Sequence, residues 1–367
     1  MKIVFSSSNS TNEKYLSEVG KDNEVYAFFD IKAPEHKIQR VTLVKVYFLF
    51  YYLRYAINKL RISSVVPEYI INFNNAYKKL NKVDVIVAFD FNNFTFFQFL
   101  KKKKIDTRTK FFVWTETRDW PDSKFRRFVF CFFWRKFKKN SKFVDKIFVF
   151  TEEGKAFFNK HVPEAQVHVL PAPIDSSIFY CDVNKQYLPQ STLRIIMNAR
   201  YIPLKEHRTF FEALEALNSK DVKFRVSLIG RGGGEQEELM LYASQLKISD
   251  FITWLDPVPV EELQAVYSAH DVSVLASSRE AIGMVVPESM ACGVPTVTSN
   301  AVGANTYVTD KKTGFIFEVG NVSQLVEYLI LMSKQGVAEK MGKAAALKIT
   351  NNYQTETLAE KFSSLMQ

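Results

Sequence analysis

Two hydrophobic rhythms alternate along this chain. Short apolar runs occupy 193–197, 224–229, 251–255, 272–276 and 296–299, and stretches of helical period follow at 209–217, 235–246 and 260–269. Short runs bounded by turn residues read as buried strands, and the 3.6-residue period reads as amphipathic helix. Strands alternating with helices of this length predict a parallel sheet covered on both faces, which binds ligands at the carboxyl ends of its strands. The first half repeats the pattern less cleanly. Its expected strands lie at 2–5, 24–28, 83–89, 111–114 and 146–150, with long helical stretches at about 38–61 and 123–141. Pro171 and Pro173 interrupt the pattern, so the interdomain linker is expected at 170–175. The expectation is α/β: two Rossmann-like doubly wound domains in series, with a cleft between them as a place for a ligand.

Length agrees, since 367 residues exceed one ordinary core. With 47% hydrophobic and 24% charged residues, the composition is that of a folded chain. The charge changes the picture more. Residues 1–175 hold 31 Lys and Arg against 18 Asp and Glu, a net of +13, whereas the remainder is −3. A basic first half points to an anionic partner there: lipid headgroups, a phosphorylated acceptor or nucleic acid. Cys131, Cys181 and Cys292 are far apart and form no disulfide or zinc spacing, which fits a reducing cytoplasm. The apolar run at the start is too short for a signal peptide. The run 46–53, bounded by Lys45 and Arg54, falls short of the ~20 residues that span a bilayer.

The strongest chemical signal follows the expected strand 272–276. Gly283 lets backbone approach a ligand, and Pro287 suits the first turn of a helix beginning near 284–287. Such a turn aims free N–H groups outward. Glu280 and Glu288 flank it, and each carboxylate can accept two hydroxyl hydrogen bonds, as a vicinal sugar diol offers. Arg200 and Lys205 follow the strand 193–197, and Gly230 and Gly232 follow the strand 224–229. Taken singly, a Gly-rich turn, an Arg or a Lys is as well explained by an ordinary turn or a solvated surface.

In this order and spacing the residues resemble family 4 glycosyltransferases (glycosyl transferases group 1), retaining enzymes of the GT-B fold. Glu280 and Glu288 match the family's Glu-x7-Glu signature, with Ile282 in place of Phe and Ser289 in place of Ala. Arg200 and Lys205 match its Arg-x4-Lys element, although Glu206 stands where Gly is usual. The resemblance implies that Arg200 and Lys205 neutralise the donor diphosphate. It implies that Glu288 holds the ribose, that Glu280 holds the donor sugar, and that the backbone at Gly283, Met284 and Val285 assists both. Gly230 and Gly232 would lie beside the nucleotide. Residues 302–306 depart from the family's pattern, and Thr306 receives no role. The matches run from about 150 to 320. The implied domains are 1–172 for the acceptor, 173–345 for the nucleotide sugar, and a helix at 346–367 packing back on the first. The nucleotide sugar is a co-substrate, and neither metal nor other cofactor is implied.

The acceptor side is less legible. The family often carries a His or Asp near the reacting sugar, and none of His36, His161, His168, His207 and His270 falls there. In the corresponding segment Glu116 or Asp119 would assist the acceptor hydroxyl as base or orienter. Capping or surface roles suit them equally, and Asp90 is a third candidate.

Residues 124–142 form a stretch of aromatics and cations without an acid. It reads either as a helix on an anionic membrane or as a core helix with solvated cations. The run 41–57, with its tyrosines, would add to the same face. The combined expectation is a hexosyltransferase-type enzyme acting on a saccharide or lipid-linked acceptor in cell-surface polysaccharide or lipopolysaccharide biosynthesis. It would be cytoplasmic, or peripheral on the inner face of the membrane. A sugar-nucleotide-modifying enzyme of epimerase type and a silent binding relative stay open. Nucleic acid is not expected, since no binding module is present.

Overall fold

Among the described residues, every strand pairing is parallel. The computed structural model describes residues 1–7, 13–29, 41–45, 77–78, 80, 82–91, 94–121, 124–183, 185, 187, 192–230, 232 and 234–366. The chain divides into two compact units, Met1–Pro171 with Leu358–Gln367, and Ala172–Thr357.

The first unit contains β1 (Lys2–Ser7), α1 (Glu13–Val19), β2 (Glu24–Phe29), β3 (Val41–Lys45), β4 (Val85–Phe89) and α2 (Phe94–Ile105). It continues with β5 (Lys110–Thr115), α3 (Lys124–Asn140), β6 (Lys146–Val149), α4 (Glu152–His161) and β7 (Val167–Val169). The sheet order is β3-β2-β1-β4-β5-β6-β7. The high Phe content has its use here. Phe91 meets Phe130, Trp134, Phe137 and Phe158 with ring centroids 4.6–6.1 Å apart. Such pairs each contribute about 0.5–1.5 kcal/mol beyond the area they bury.

The second unit contains β8 (Leu193–Asn198), α5 (His207–Asn218), β9 (Phe224–Ile229), α6 (Gln236–Gln245), β10 (Ile252–Leu255) and α7 (Leu263–Ser268). Then follow β11 (Val272–Leu275), α8 (Val285–Ala291), β12 (Thr296–Ser299), β13 (Gly314–Phe317), α9 (Val322–Met332) and α10 (Val337–Asn352). Its sheet order is β10-β9-β8-β11-β12-β13. The last helix, α11 (Thr355–Met366), carries the chain back into the first unit. There Phe362 stacks on Trp114 and meets Phe148 edge-on.

A buried ion pair joins the amino ends of β8 and β11. Arg194 Nη2 lies 2.6 Å from Asp271 Oδ1 and its Nε 3.0 Å from Oδ2. Asp271 is fully buried, and the Arg194 backbone N–H also donates to Oδ2 at 2.9 Å. The three bonds satisfy both carboxylate oxygens, which a buried charge requires.

Several elements differ from the expected pattern. The helix expected over 38–61 is corrected by β3, which pairs with β2 in parallel register, Val25 opposite Val41. β-branched Val41, Thr42 and Val44 favour a pleated surface. Residues 38–40 and 46–61 lie outside the described residues, as does 46–57 of the tyrosine-bearing run. The single helix expected over 346–367 is two helices, α10 and α11, broken around Tyr353 and Gln354. Gln354 forms a parallel bridge with Ile174, and Thr355 Oγ1 donates to the Ile174 carbonyl at 3.3 Å. These bonds replace helical continuity, so the second unit runs to Thr357 rather than 345.

Candidate functional site

The second sheet reverses its winding between β8 and β11, which are hydrogen-bonded neighbours. Crossovers leave the two strands in opposite directions and open a crevice at their carboxyl ends. β8 runs on through Arg200 and buried Tyr201 into a 3₁₀ turn, Pro203–Lys205. β11 runs on through 276–284 into α8.

The two loops are stitched together. The Ser278 N–H donates to the Leu204 carbonyl at 2.9 Å. The Glu280 N–H donates to the Ala301 carbonyl at 3.3 Å, and the Gly303 N–H to the Glu280 carbonyl at 2.9 Å. Glu280 is therefore held by its backbone from the loop after β12, and its carboxylate pairs with the Lys205 ammonium. Gly283 turns the loop with φ +75°. A Cβ there would lie 2.9 Å from Val302 Cγ1 and 3.1 Å from Glu280 Cγ, so glycine is needed for both dihedral and space.

α8 starts at Val285, with Pro287 in its first turn. The Val286 N–H turns back to the Gly283 carbonyl at 3.0 Å and the Glu288 N–H to the Met284 carbonyl at 3.0 Å. Met284 and Val285 contribute backbone at the turn itself. Glu288 is largely buried and accepts a hydrogen bond from the Tyr267 hydroxyl at 3.3 Å. Asn198 Nδ2 donates to the same hydroxyl at 3.1 Å. Burial pushes the Glu288 carboxyl up to about 7, and the Tyr267 hydrogen bond opposes that rise. Asn198 and Tyr267 lie outside the motifs that mark this site in the sequence. Asn198 sits two positions before Arg200, and an Asn ending a buried strand was the available signal. Nothing local marks Tyr267.

The structure thus brings Lys205 to Glu280 and links Glu288 through Tyr267 to the end of β8. Arg200 follows on the same loop with an exposed side chain. Gly230 has a packing role: a Cβ would fall 2.5 Å from the Ala199 carbonyl oxygen and 2.6 Å from Tyr201 Cζ. Gly232 has φ +60° with open space around its Cα.

In the first unit, reversal falls between β1 and β4. Glu116 and Asp119 are exposed, and Asp119 lies 3.6 Å from Arg118 Nε. Asp90 is the more constructed carboxylate. It follows β4 with φ 58°, an uncommon left-handed conformation for a residue with a side chain. Its N–H donates to the Trp114 carbonyl at 2.8 Å, and Oδ1 accepts from the buried Thr115 hydroxyl. Burial raises its pKa, while the Thr115 hydroxyl and the Glu116 N–H act to lower it. Among the described residues, no group of three or more His, Cys, Asp or Glu is placed to hold a metal ion. No helix among them is long and apolar enough to cross a membrane.

Residues 182–348 match the family model described as glycosyl transferases group 1. A GDP-mannose-dependent alpha-(1-6)-phosphatidylinositol monomannoside mannosyltransferase of Mycobacterium tuberculosis is 26% identical over 236 residues, 60% of this chain and 60% of that protein. A D-inositol 3-phosphate glycosyltransferase of Corynebacterium jeikeium is 39% identical over 89 residues, 24% of this chain and 21% of that protein. The chain thus spans 60% or less of the length of these curated relatives. Among solved structures, sucrose-phosphate synthase from Thermosynechococcus elongatus is similar with a TM-score of 0.73 at 16% identity, over 100% of this chain and 98% of that one. Anabaena Alr3699/HepE in complex with UDP and glucose is similar with a TM-score of 0.71 at 16% identity, over 100% and 99%. These likenesses show the GT-B fold.

Proposed function

Because residues 182–348 match the glycosyl transferases group 1 family model, we propose that this chain is a retaining glycosyltransferase using a nucleotide-sugar donor, an acceptor hydroxyl and no metal. One observation carries the reading: Arg200, Lys205, Glu280 and Glu288 all follow the two strands at which the second sheet reverses. In the reaction, the bond between the anomeric carbon and the diphosphate oxygen breaks, and its electron pair leaves with the nucleoside diphosphate. The acceptor oxygen bonds to that carbon on the same face and gives up its proton. Arg200 and Lys205 stabilise charge building on the diphosphate, a role worth roughly 10²–10³ in rate per fixed group. Glu288 accepts from the ribose hydroxyls and Glu280 from the sugar, with backbone at Gly283, Met284 and Val285 assisting. The acceptor belongs to the first unit, where Asp90 is favoured over Glu116 and Asp119 as the group that orients its hydroxyl. The product would be a hexose on a saccharide or lipid-linked acceptor of the cell-surface polysaccharide or lipopolysaccharide class; the lipid-linked part is supported by the name of the phosphatidylinositol monomannoside mannosyltransferase relative. The setting would be the cytoplasm or the inner membrane face.

The test is a thermal-shift screen against a panel of nucleotide sugars, with wild type, Glu288→Ala and Arg200→Ala. One nucleotide sugar should stabilise the wild type, and both variants should weaken that shift. A shift unchanged in both variants would move the site elsewhere. A product assay in which the donor sugar is epimerised without an acceptor would replace transfer by the epimerase reading.

A further inference from the structure

α3 has two unlike faces. Phe130, Phe133, Trp134 and Phe137 are buried in the first unit's core, whereas Phe128 is 74% and Phe132 49% exposed. Phe128, Phe132, Arg135 and Lys139 fall at i, i+4, i+7 and i+11 and so share one stripe. Lys124, Lys136 and Lys138 flank it and are exposed. The Lys136 ammonium lies 4.2 Å from the Phe132 ring centroid, so a cation and an exposed ring sit together. Core and membrane readings of 124–142 are thus divided by residue: Trp134 belongs to the core, and Phe128 and Phe132 do not.

The surface extends beyond α3. α2 lies beside it, with Phe97 stacked on Phe133 at 6.0 Å and Lys104 Nζ donating to Asn140 Oδ1 at 2.7 Å. Exposed Lys101 and Lys104 add charge, and Ile105 adds a third exposed apolar side chain. Lys103 turns inward to Asp145, 3.0 Å away, and is not part of the surface. Neither helix contains an acidic residue. Glu164 accepts from Ser141 Oγ at 3.0 Å, and the nearby Lys138 is among the groups that lower its pKa.

A merely solvated face has no use for two phenylalanines one turn apart. Large exposed apolar groups among cations fit a surface that is apolar beneath and anionic on top. We propose that the outer face of α2 and α3 docks reversibly on an anionic lipid bilayer. Phe128 and Phe132 enter the headgroup level and the cations meet lipid phosphates. This stands on the first unit alone and is independent of the donor site.

The full chain is sedimented with vesicles of phosphatidylcholine alone or mixed with phosphatidylglycerol. Binding should need the anionic lipid and weaken with salt. Arg135→Gln with Lys139→Gln should lower it roughly fivefold per cation removed. Phe128→Ser with Phe132→Ser should lower it roughly tenfold per ring. Lys101→Gln with Lys104→Gln should act like the α3 pair, and Lys311→Gln with Lys312→Gln in the second unit should have no effect. All these side chains are exposed, and matching circular dichroism spectra confirm folding. Equal binding to both vesicle types, or variants that bind like wild type, overturns the proposal. Retention on single-stranded RNA that responds to these substitutions, without vesicle binding, overturns it in favour of nucleic acid.

Discussion

Lys205 and Glu280, on loops that leave two different strands, hold each other in an ion pair. The family resemblance gives the first to the diphosphate and the second to the sugar, so proposed donor binding and this pair draw on the same charges. Their contributions should therefore not multiply. Lys205→Met and Glu280→Gln should each lower turnover by about 10²–10³, and the double variant should lose less than the product of the two. Steady-state kinetics on the four proteins gives the coupling, expected at about 0.5–3 kcal/mol. Strict multiplication would mean that the pair is incidental.

Glu288 predicts a pH dependence. Its carboxyl is pushed up to about 7 from an ordinary value near 4.5. A protonated carboxyl accepts less well, so donor affinity should fall as pH drops below about 7, by up to tenfold per unit, and Glu288→Gln should flatten that profile. Stability runs the other way. The folded state holds this proton more tightly than the unfolded state, so folding weakens as pH rises from about 4.5 to about 7. Above that, Glu288→Gln should melt higher, by on the order of 2 kcal/mol of stability. Calorimetric titration and melting curves across this range check both signs.

Asp90 and Glu116 separate by the same kind of measurement. Asp90→Asn should lower kcat by at least tenfold, on the scale of general acid–base or orienting groups, while leaving the donor-induced thermal shift intact. Glu116→Gln should change kcat little. The reverse ranking would return the acceptor role to the exposed carboxylate.

Two glycines of one motif should fail differently. Gly230→Ala drives a Cβ into the Ala199 carbonyl and the Tyr201 ring. It should cost about 1–3 kcal/mol and displace the loop bearing Arg200, weakening donor binding. Gly232→Ala meets no neighbour and pays only for its left-handed backbone, about 1 kcal/mol. Its donor binding should stay close to wild type. Denaturant melts with a donor titration distinguish the two.

The legible part of this protein is the part written locally. The 193–299 alternation, the glycine and proline around 283–287, and the spacing of Arg200 to Lys205 are properties of neighbours in sequence. What was misread or missed depends on distant partners. Residues 41–45, Val-Thr-Leu-Val-Lys, are too few for periodicity alone to sort into strand or helix, and pairing with β2 decides it. Tyr267 becomes part of the site only because α7 places its hydroxyl between Asn198 and Glu288. Asp90 gains its setting from a dihedral sign and from Thr115 on the next strand, neither of which its own sequence neighbours encode.

The Arg194–Asp271 pair clamps β8 and β11 at the ends opposite those that carry Arg200, Lys205 and Glu280. The ion-pair clamp and the proposed donor site thus fall at opposite termini of the same two strands. An engineer seeking a hardier catalyst can rework the clamped edge, and one seeking a new donor can rework the loops, with little interference between the two campaigns.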